Sequence, residues 1–237
     1  MSEKILPKHI AIIMDGNRRW AKENNLNPVS LGHKKGAEVL ENITKYCNKI
    51  GIKYLTVYAF STENWKRTSE EVGAIMLILD KYLDRFLKTA DLENIKLRII
   101  GDLESKTIPD NLREKIKKMQ ERTKNNTGLE LNVAFNYGGR AEIIRATKMI
   151  AKDVLDGKIK IDDINEDIFE NNLYTAGESD PDLVIRTSGE LRTSNFLPWQ
   201  ITYSEFLFLE KYWPEFTESD IDKAVEIFSE RQRRVGK

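Results

Sequence analysis

Cysteine is nearly missing from this chain: Cys47 stands alone among 237 residues, so no internal disulfide can form. It falls in the spacing Val39, Leu40, Ile43, Tyr46, Cys47, Ile50, one apolar face of a helix, and reads as a core thiol. Histidine is almost as scarce, and His9 and His33 with a single thiol leave too few ligands for an ordinary zinc site. No apolar run approaches the roughly 18 residues of a membrane span. No charged start followed by an apolar stretch marks a secretion leader. The chain is therefore expected to be cytoplasmic and not to span a membrane. Surplus charge is also lacking: Lys+Arg and Asp+Glu both number 38. That balance excludes a whole-surface nucleic-acid binder and leaves any anion site to local clustering. There is no G-x-x-x-x-G-K-[ST] loop, no G-x-G-x-x-G after a strand and no G-x-S-x-G elbow. Repeats, low-complexity stretches and Pro/Gly/Ser linkers are absent, so residues 1–237 read as one domain. The apolar share, 40%, suffices for a real core.

Short β-like runs alternate with amphipathic segments, which predicts an α/β domain with a mostly parallel central sheet of about six strands flanked by helices. The strands are expected at His9–Met14, Tyr54–Phe60, Lys96–Ile100, Glu130–Phe135, Leu183–Arg186 and Glu205–Leu209. The nearly unbroken apolar run from Ile10 to Met14 suits a strand covered on both faces. Helices are expected at Gly32–Ile50, Ser69–Glu93, Pro109–Asn125, Arg140–Leu155, Asp167–Leu173 and Ser219–Arg234. From Val72 to Leu87 the second of these carries more apolar residues than one stripe needs. Either it is buried on two sides, or one face packs on the sheet while another lines an apolar channel.

Ligands of parallel sheets gather beyond the carboxyl ends of the strands, and the polar motifs concentrate there. After the first strand comes Met14-Asp15-Gly16-Asn17-Arg18-Arg19-Trp20. Gly16 allows a tight turn, and the following amides with Arg18 and Arg19 make an anion-binding helix start. Asp15 among these cations suits a Mg²⁺ ligand, since Mg²⁺ takes one or two carboxylates plus phosphate oxygens; the alternative is an N-cap with solvated arginines. Gly32-His33-Lys34-Lys35-Gly36 is a second basic helix entrance, in which His33 is either a phosphate donor or a capping residue. Ser61-Thr62-Glu63-Asn64-Trp65-Lys66-Arg67 crowds hydroxyls, a carboxylate, an amide, an indole and cations behind the second strand. The last motif runs from Asp180 past Arg186, Ser188-Gly189 and Arg192-Thr193-Ser194, donors matched to phosphate oxygens. Glu205, at the head of the final strand, is a candidate companion of Asp15 on one cation. Tyr137-Gly138-Gly139-Arg140 is a weaker phosphate-turn candidate.

Together these motifs, in this order and over nearly the whole chain, resemble the cis-prenyltransferase family, whose bacterial members are undecaprenyl diphosphate synthases. The resemblance implies a transferase that condenses isopentenyl diphosphate with an allylic diphosphate such as farnesyl diphosphate, giving a long polyprenyl diphosphate, the cell-wall lipid-carrier precursor. It implies Mg²⁺ on Asp15 and Glu205, and catalysis by Asp15 with Asn64 as proton acceptor. Gly16, Asn17, Arg18, Arg19, Trp20 and His33 would hold the allylic diphosphate. Ser61, Thr62, Glu63, Trp65 and Arg67 would line the substrates, and Arg186, Arg192, Thr193 and Ser194 would hold isopentenyl diphosphate. An apolar tunnel would take the growing chain. Arg234-Val235-Gly236 resembles the family's R-x-G ending, which implies a homodimer with Arg234 and Gly236 near the partner's site, and the lipid product implies peripheral membrane contact. Two positions depart from the pattern: Val29 stands where an arginine is common, and Ser188 where many members have glycine. Losing one charged phosphate contact costs about 1.5–3 kcal/mol, so weaker allylic binding is expected, or compensation by Lys34 or Lys35. A shorter-chain synthase and a catalytically silent prenyl-lipid-binding subunit are the alternatives.

Overall fold

The computed structural model describes residues 5–231. Six strands form one sheet: β1 (His9–Ile13), β2 (Tyr54–Ser61), β3 (Lys96–Ile100), β4 (Glu130–Tyr137), β5 (Leu183–Arg186) and β6 (Glu205–Phe208). Their order is β3-β4-β2-β1-β5-β6, and every neighbouring pair is parallel. β1, β4 and β5 are buried at every position; β1 and β5 accordingly read as apolar runs with one polar end residue, whereas β4 also buries the polar Glu130, Asn132 and Asn136.

The helices are α1 (Asn17–Glu23), α2 (Ser30–Ile50), α3 (Ser69–Leu92), α4 (Asp110–Thr123), α5 (Gly139–Leu155), α6 (Glu166–Glu170) and α7 (Glu218–Glu230). Side chains alternate across a strand, so Ile10 and Ile12 enter one core while Ala11 and Ile13 enter another. The larger core is closed by α2, α3, α4 and α7 through residues such as Ile43, Phe86, Ile116 and Val225. The predicted stripe of α2 is buried at Val39, Leu40, Ile43 and Cys47, and burial pushes the Cys47 thiol up to about 12. The smaller core holds Tyr137, Phe196, Leu197 and Ile201.

Each predicted element is present, with ends shifted by a few residues. β4 runs on to Tyr137, and the helix expected over Asp167–Leu173 is the shorter α6. The chain leaves β1 toward β2 on one side and returns to pair β5 on the other. That reversal places the crevice of a parallel sheet above the carboxyl end of β1. Among the described residues no helix is long and apolar enough to cross a membrane.

Candidate active site

A cavity of about 480 Å³ opens at that reversal, walled by the ends of β1, β2 and β5 and the starts of α1 and α2. The first motif turns because Gly16 adopts φ 102°, a left-handed conformation that a side chain disfavours. A Cβ there would also sit 2.6 Å from the Tyr212 ring. α1 then starts with no side-chain cap, leaving its first N–H groups for a ligand. Gly32 lets α2 meet α1, since a Cβ would fall 2.0 Å from the Asn17 carbonyl oxygen.

Asp15 is fixed through its backbone oxygen, which accepts from the Trp213 N–H at 3.0 Å and the Thr187 hydroxyl at 2.7 Å. Its carboxylate accepts from Arg186 Nη2 at 2.8 Å and the Gly16 N–H at 2.7 Å, and lies 3.3 Å from Arg19 Nη2. Burial pushes its pKa up, but Arg186, the Gly16 amide and Arg19 outweigh that and hold it below the ordinary carboxylate value. It is an ionised hard-oxygen donor on the cavity wall. Arg186 is buried and also donates to Ser194 Oγ at 2.9 Å and to the Arg192 carbonyl. His33 Nε2 and Asn17 Oδ1 are buried without hydrogen-bond partners among the described residues. Such atoms cost free energy unless a ligand or water completes them. Burial, then the Arg67 charge, lower the His33 pKa, although Glu71 opposes this, so the ring is neutral near pH 7.

The structure brings Asp15, Gly16, Asn17, Arg18, Arg19, His33, Ser61, Asn64, Arg67, Arg186 and Ser194 to this one cavity. These residues come from the four main polar motifs, whereas Tyr137-Gly138-Gly139-Arg140 contributes none; the meeting of the four is the observation on which the functional reading turns.

The prenyltransferase family model, described as an undecaprenyl diphosphate synthase, matches residues 13–236. The chain belongs to this family. It is 51% identical over 231 residues to an isoprenyl transferase of Clostridium tetani, covering 98% of this chain and 89% of that protein. It is 46% identical over 231 residues to the farnesyl-diphosphate-specific ditrans,polycis-undecaprenyl-diphosphate synthase of Micrococcus luteus, covering 98% and 92%. Among solved structures, lavandulyl diphosphate synthase of Lavandula x intermedia, in complex with dimethylallyl diphosphate, superposes with TM-score 0.94 at 35% identity, covering 99% of this chain and all of that one. A probable undecaprenyl diphosphate synthase of Campylobacter jejuni gives TM-score 0.80 at 36% identity, with both chains fully covered.

Other predicted residues of this prenyltransferase stand outside the cavity wall. Trp65 stacks edge-on against Phe60 with ring centroids 5.0 Å apart and donates to Asn136 Oδ1 at 2.8 Å; it braces the strand end. Thr62 and Glu63 face Asn195, whose amide donates to Glu63 at 3.0 Å. Trp20 and Thr193 are half-buried nearby, and Arg192 extends outward to pair with Glu190. Within the cavity wall, by contrast, Asn64 Oδ1 accepts the Ser61 N–H at 3.0 Å, closing the turn after β2.

Glu205 requires a correction. The sequence suggests it as Asp15's companion on one cation, but within one chain the structure keeps them apart. The parallel register pairs Glu205 with Leu183, at the start of β5. That is three residues, about 10 Å, below the level of Arg186. There Glu205 accepts from Arg231 at 2.8 Å. Among the described residues no three His, Cys, Asp or Glu side chains come together as a metal nest. Arg234 and Gly236 lie outside the described residues. Lys34 and Lys35, expected to compensate for Val29, do not line the cavity; Lys22 does.

Two carboxylates escaped the sequence reading. Glu190 bridges Arg19, at 3.1 Å, and Arg192. Glu71 binds Arg18 and Arg67. The one signal was the four-residue spacing from Arg67 to Glu71, which places both on one helical face.

The expected apolar tunnel is present only as a crevice of about 90 Å³ between α2, α3 and the sheet. It shares Met14, Asn17, His33 and Ala59 with the polar cavity. The first half of α3 is not deeply buried, as Val72, Ile75, Met76 and Ile78 are half-buried and Leu77 is 53% exposed. The reading of this helix as buried on two sides is thus not met in its first half, and Ile75, Ile78, Leu79 and Tyr82 line the crevice.

Proposed function

We propose that this prenyltransferase condenses isopentenyl diphosphate with an allylic diphosphate, farnesyl diphosphate in the first instance, to a long cis-polyprenyl diphosphate. The observation that carries this reading is the polar, cationic cavity continuous with an apolar crevice. One end suits pyrophosphate oxygens and the other a hydrocarbon chain.

Arg18, Arg19 and the open start of α1 would bind the allylic diphosphate, with His33 donating from the neighbouring helix. These donors are fixed before charge develops on the departing oxygens, the condition under which they stabilise it most. Arg186 and Ser194, already joined at 2.9 Å, would hold the second diphosphate. The alkene of the isopentenyl unit then attacks the allylic carbon, and a proton is lost near Asn64. The Asn64 oxygen has one lone pair engaged by Ser61 and one remaining. A neutral amide does not keep a proton, so Asn64 orients the proton on its way to phosphate or solvent.

The donor set fits Mg²⁺: Asp15 offers one ionised oxygen donor, and substrate phosphates complete the shell, as this ion prefers. When bound, the ion supplies charge neutralisation for the departing diphosphate. Glu205 can share an ion with Asp15 only if it comes from a second copy of the chain. The R-x-G ending, just beyond Glu205's partner Arg231, supports a homodimer. A soluble enzyme touching a membrane through its lipid product completes the reading.

A shorter-chain synthase is the second reading, favoured by a crevice whose 90 Å³ equals only about three liquid-water volumes. Incubation with labelled isopentenyl diphosphate, farnesyl diphosphate and Mg²⁺, followed by sizing of the products, tests both. Chains of many added units are expected, and EDTA should abolish turnover without shifting the melting temperature. A folded sample that adds no unit would overturn the proposal in favour of a silent subunit.

A further inference from the structure

Glu71 stands in the first turn of α3 with its side chain only 15% exposed. Its carboxylate accepts from Arg18 Nη1 at 3.0 Å and Arg67 Nη1 at 2.8 Å, and lies 3.6 Å from His33 Nε2. The i,i+4 pair with Arg67 is what a helix start makes locally. Arg18 and His33 are different: they come from α1 and α2, and all three groups belong to the cavity wall. Two charged donors and a buried imidazole nitrogen without a hydrogen-bond partner, gathered on one anion, form the arrangement that receives a phosphate group. The neighbouring Glu70 is exposed and takes no part in it.

We infer that Glu71 is a displaceable stand-in for substrate: its carboxylate holds Arg18 and Arg67, beside the uncommitted His33, where a diphosphate oxygen group belongs, and an arriving diphosphate takes the two guanidinium donors from it. The inference rests on the reading of the cavity as a diphosphate site. It adds a coupling between that site and α3. Glu71 ties the start of α3 to α1 through Arg18, while the apolar residues behind it are only half-buried. Once the carboxylate loses its partners, little apolar burial opposes an outward shift of the first turns. The crevice that α3 walls would then widen as the diphosphate seats. Glu71 is thus a positioning residue, acting through the cations it releases.

The test is calorimetric titration with inorganic pyrophosphate, without Mg²⁺ or prenyl substrate, of the wild-type chain, Glu71→Gln and the control Glu70→Gln. Glu71→Gln is expected to bind pyrophosphate at least about fivefold more tightly, because no charge competes for its arginines; Glu70→Gln should match wild type. In turnover the allylic KM of Glu71→Gln should fall without a rise in kcat, a split that a merely structural role would not give. Unchanged or weaker pyrophosphate binding by a folded Glu71→Gln overturns the inference and leaves the diphosphate site standing. Pyrophosphate binding by none of the three proteins overturns the site reading and this inference together. Hydrogen exchange in the wild-type chain needs no variant: pyrophosphate should speed exchange over residues 69–78, and protection there would equally overturn it.

Discussion

Arginines are numerous at this site, and each is already matched by a carboxylate. Arg186 and Arg19 share Asp15, Arg19 and Arg192 share Glu190, and Arg18 and Arg67 share Glu71. Substrate affinity is therefore a difference between two sets of ion pairs rather than a gain from bare charge. This bears on Val29, which occupies the position just before α2 and does not line the cavity. Lys22, one turn along α1, does line it and is the cation placed to replace the usual arginine. Lys22→Ala should raise the allylic KM about three- to tenfold with little change in kcat, a loss discounted from the roughly 1.5–3 kcal/mol of a buried charged contact because Lys22 is exposed. Steady-state kinetics with the isopentenyl substrate saturating would measure it. The residue types of the site were legible because Asp15, Arg18, Arg19, Asn64 and Arg186 fall in short motifs behind strands. Their pairings were not. Which anion neutralises which guanidinium depends on how loops fold over one another, and neither Glu71 nor Glu190 differs in sequence from a solvated surface acid.

At the scale of elements, α2 and α3 form the wall that decides what hydrocarbon fits. Ala37 on α2 and Ile78 on α3 line the crevice from inside and an outer groove from the other side. Ala37→Phe should therefore fill the crevice and shift products toward shorter chains while sparing the first condensation. Thin-layer or mass analysis of the product ladder would show it, and an unchanged ladder would place the growing chain elsewhere. Secondary structure was read from the sequence to within a few residues because strands such as β1 and β5 are covered on both faces, and their largely apolar composition states it. The register was not legible. Nothing in the sequence around Glu205 says that it pairs with Leu183 rather than beside Arg186, and that offset decides whether its carboxylate reaches the cavity. The depth of the tunnel was equally hidden, since the same apolar residues of α3 fit a closed or an open wall.

Over the whole molecule, the separation of Asp15 from Glu205 becomes testable by mixing. If Glu205 serves the site of a second copy, the individually inactive variants Asp15→Ala and Glu205→Ala should complement after dissociation and reassociation. Half the dimers would be mixed and each would carry one intact site, so about a quarter of wild-type activity is expected. No recovery would confine both residues to roles within their own chain. Stability should also respond to pH at the opposite end of the sheet. His9 is fully buried, with its ring nitrogens 2.6 Å from the Ser179 carbonyl oxygen and 2.8 Å from Thr56 Oγ1. Burial is the chief cause that lowers its pKa from 6.5 to about 4. Below pH 6.5 the unfolded chain takes up this proton first, so the contribution of His9 to stability is lost as pH falls from there toward 4. The loss amounts to roughly 3 kcal/mol. Urea midpoints measured from pH 7 to 4.5 should fall more steeply for wild type than for His9→Gln, and parallel curves would refute the assignment.

The central position of β1 also sets an order of events during synthesis. Ile10 is hydrogen-bonded in register with Leu55 on one side and Leu183 on the other, so the second flank of the first strand stays unpaired until most of the chain has left the ribosome. At about 5–20 residues per second, that interval lasts on the order of ten to thirty seconds. For that time a largely apolar strand has one open edge, which makes the nascent polypeptide a natural client for chaperones until β5 emerges.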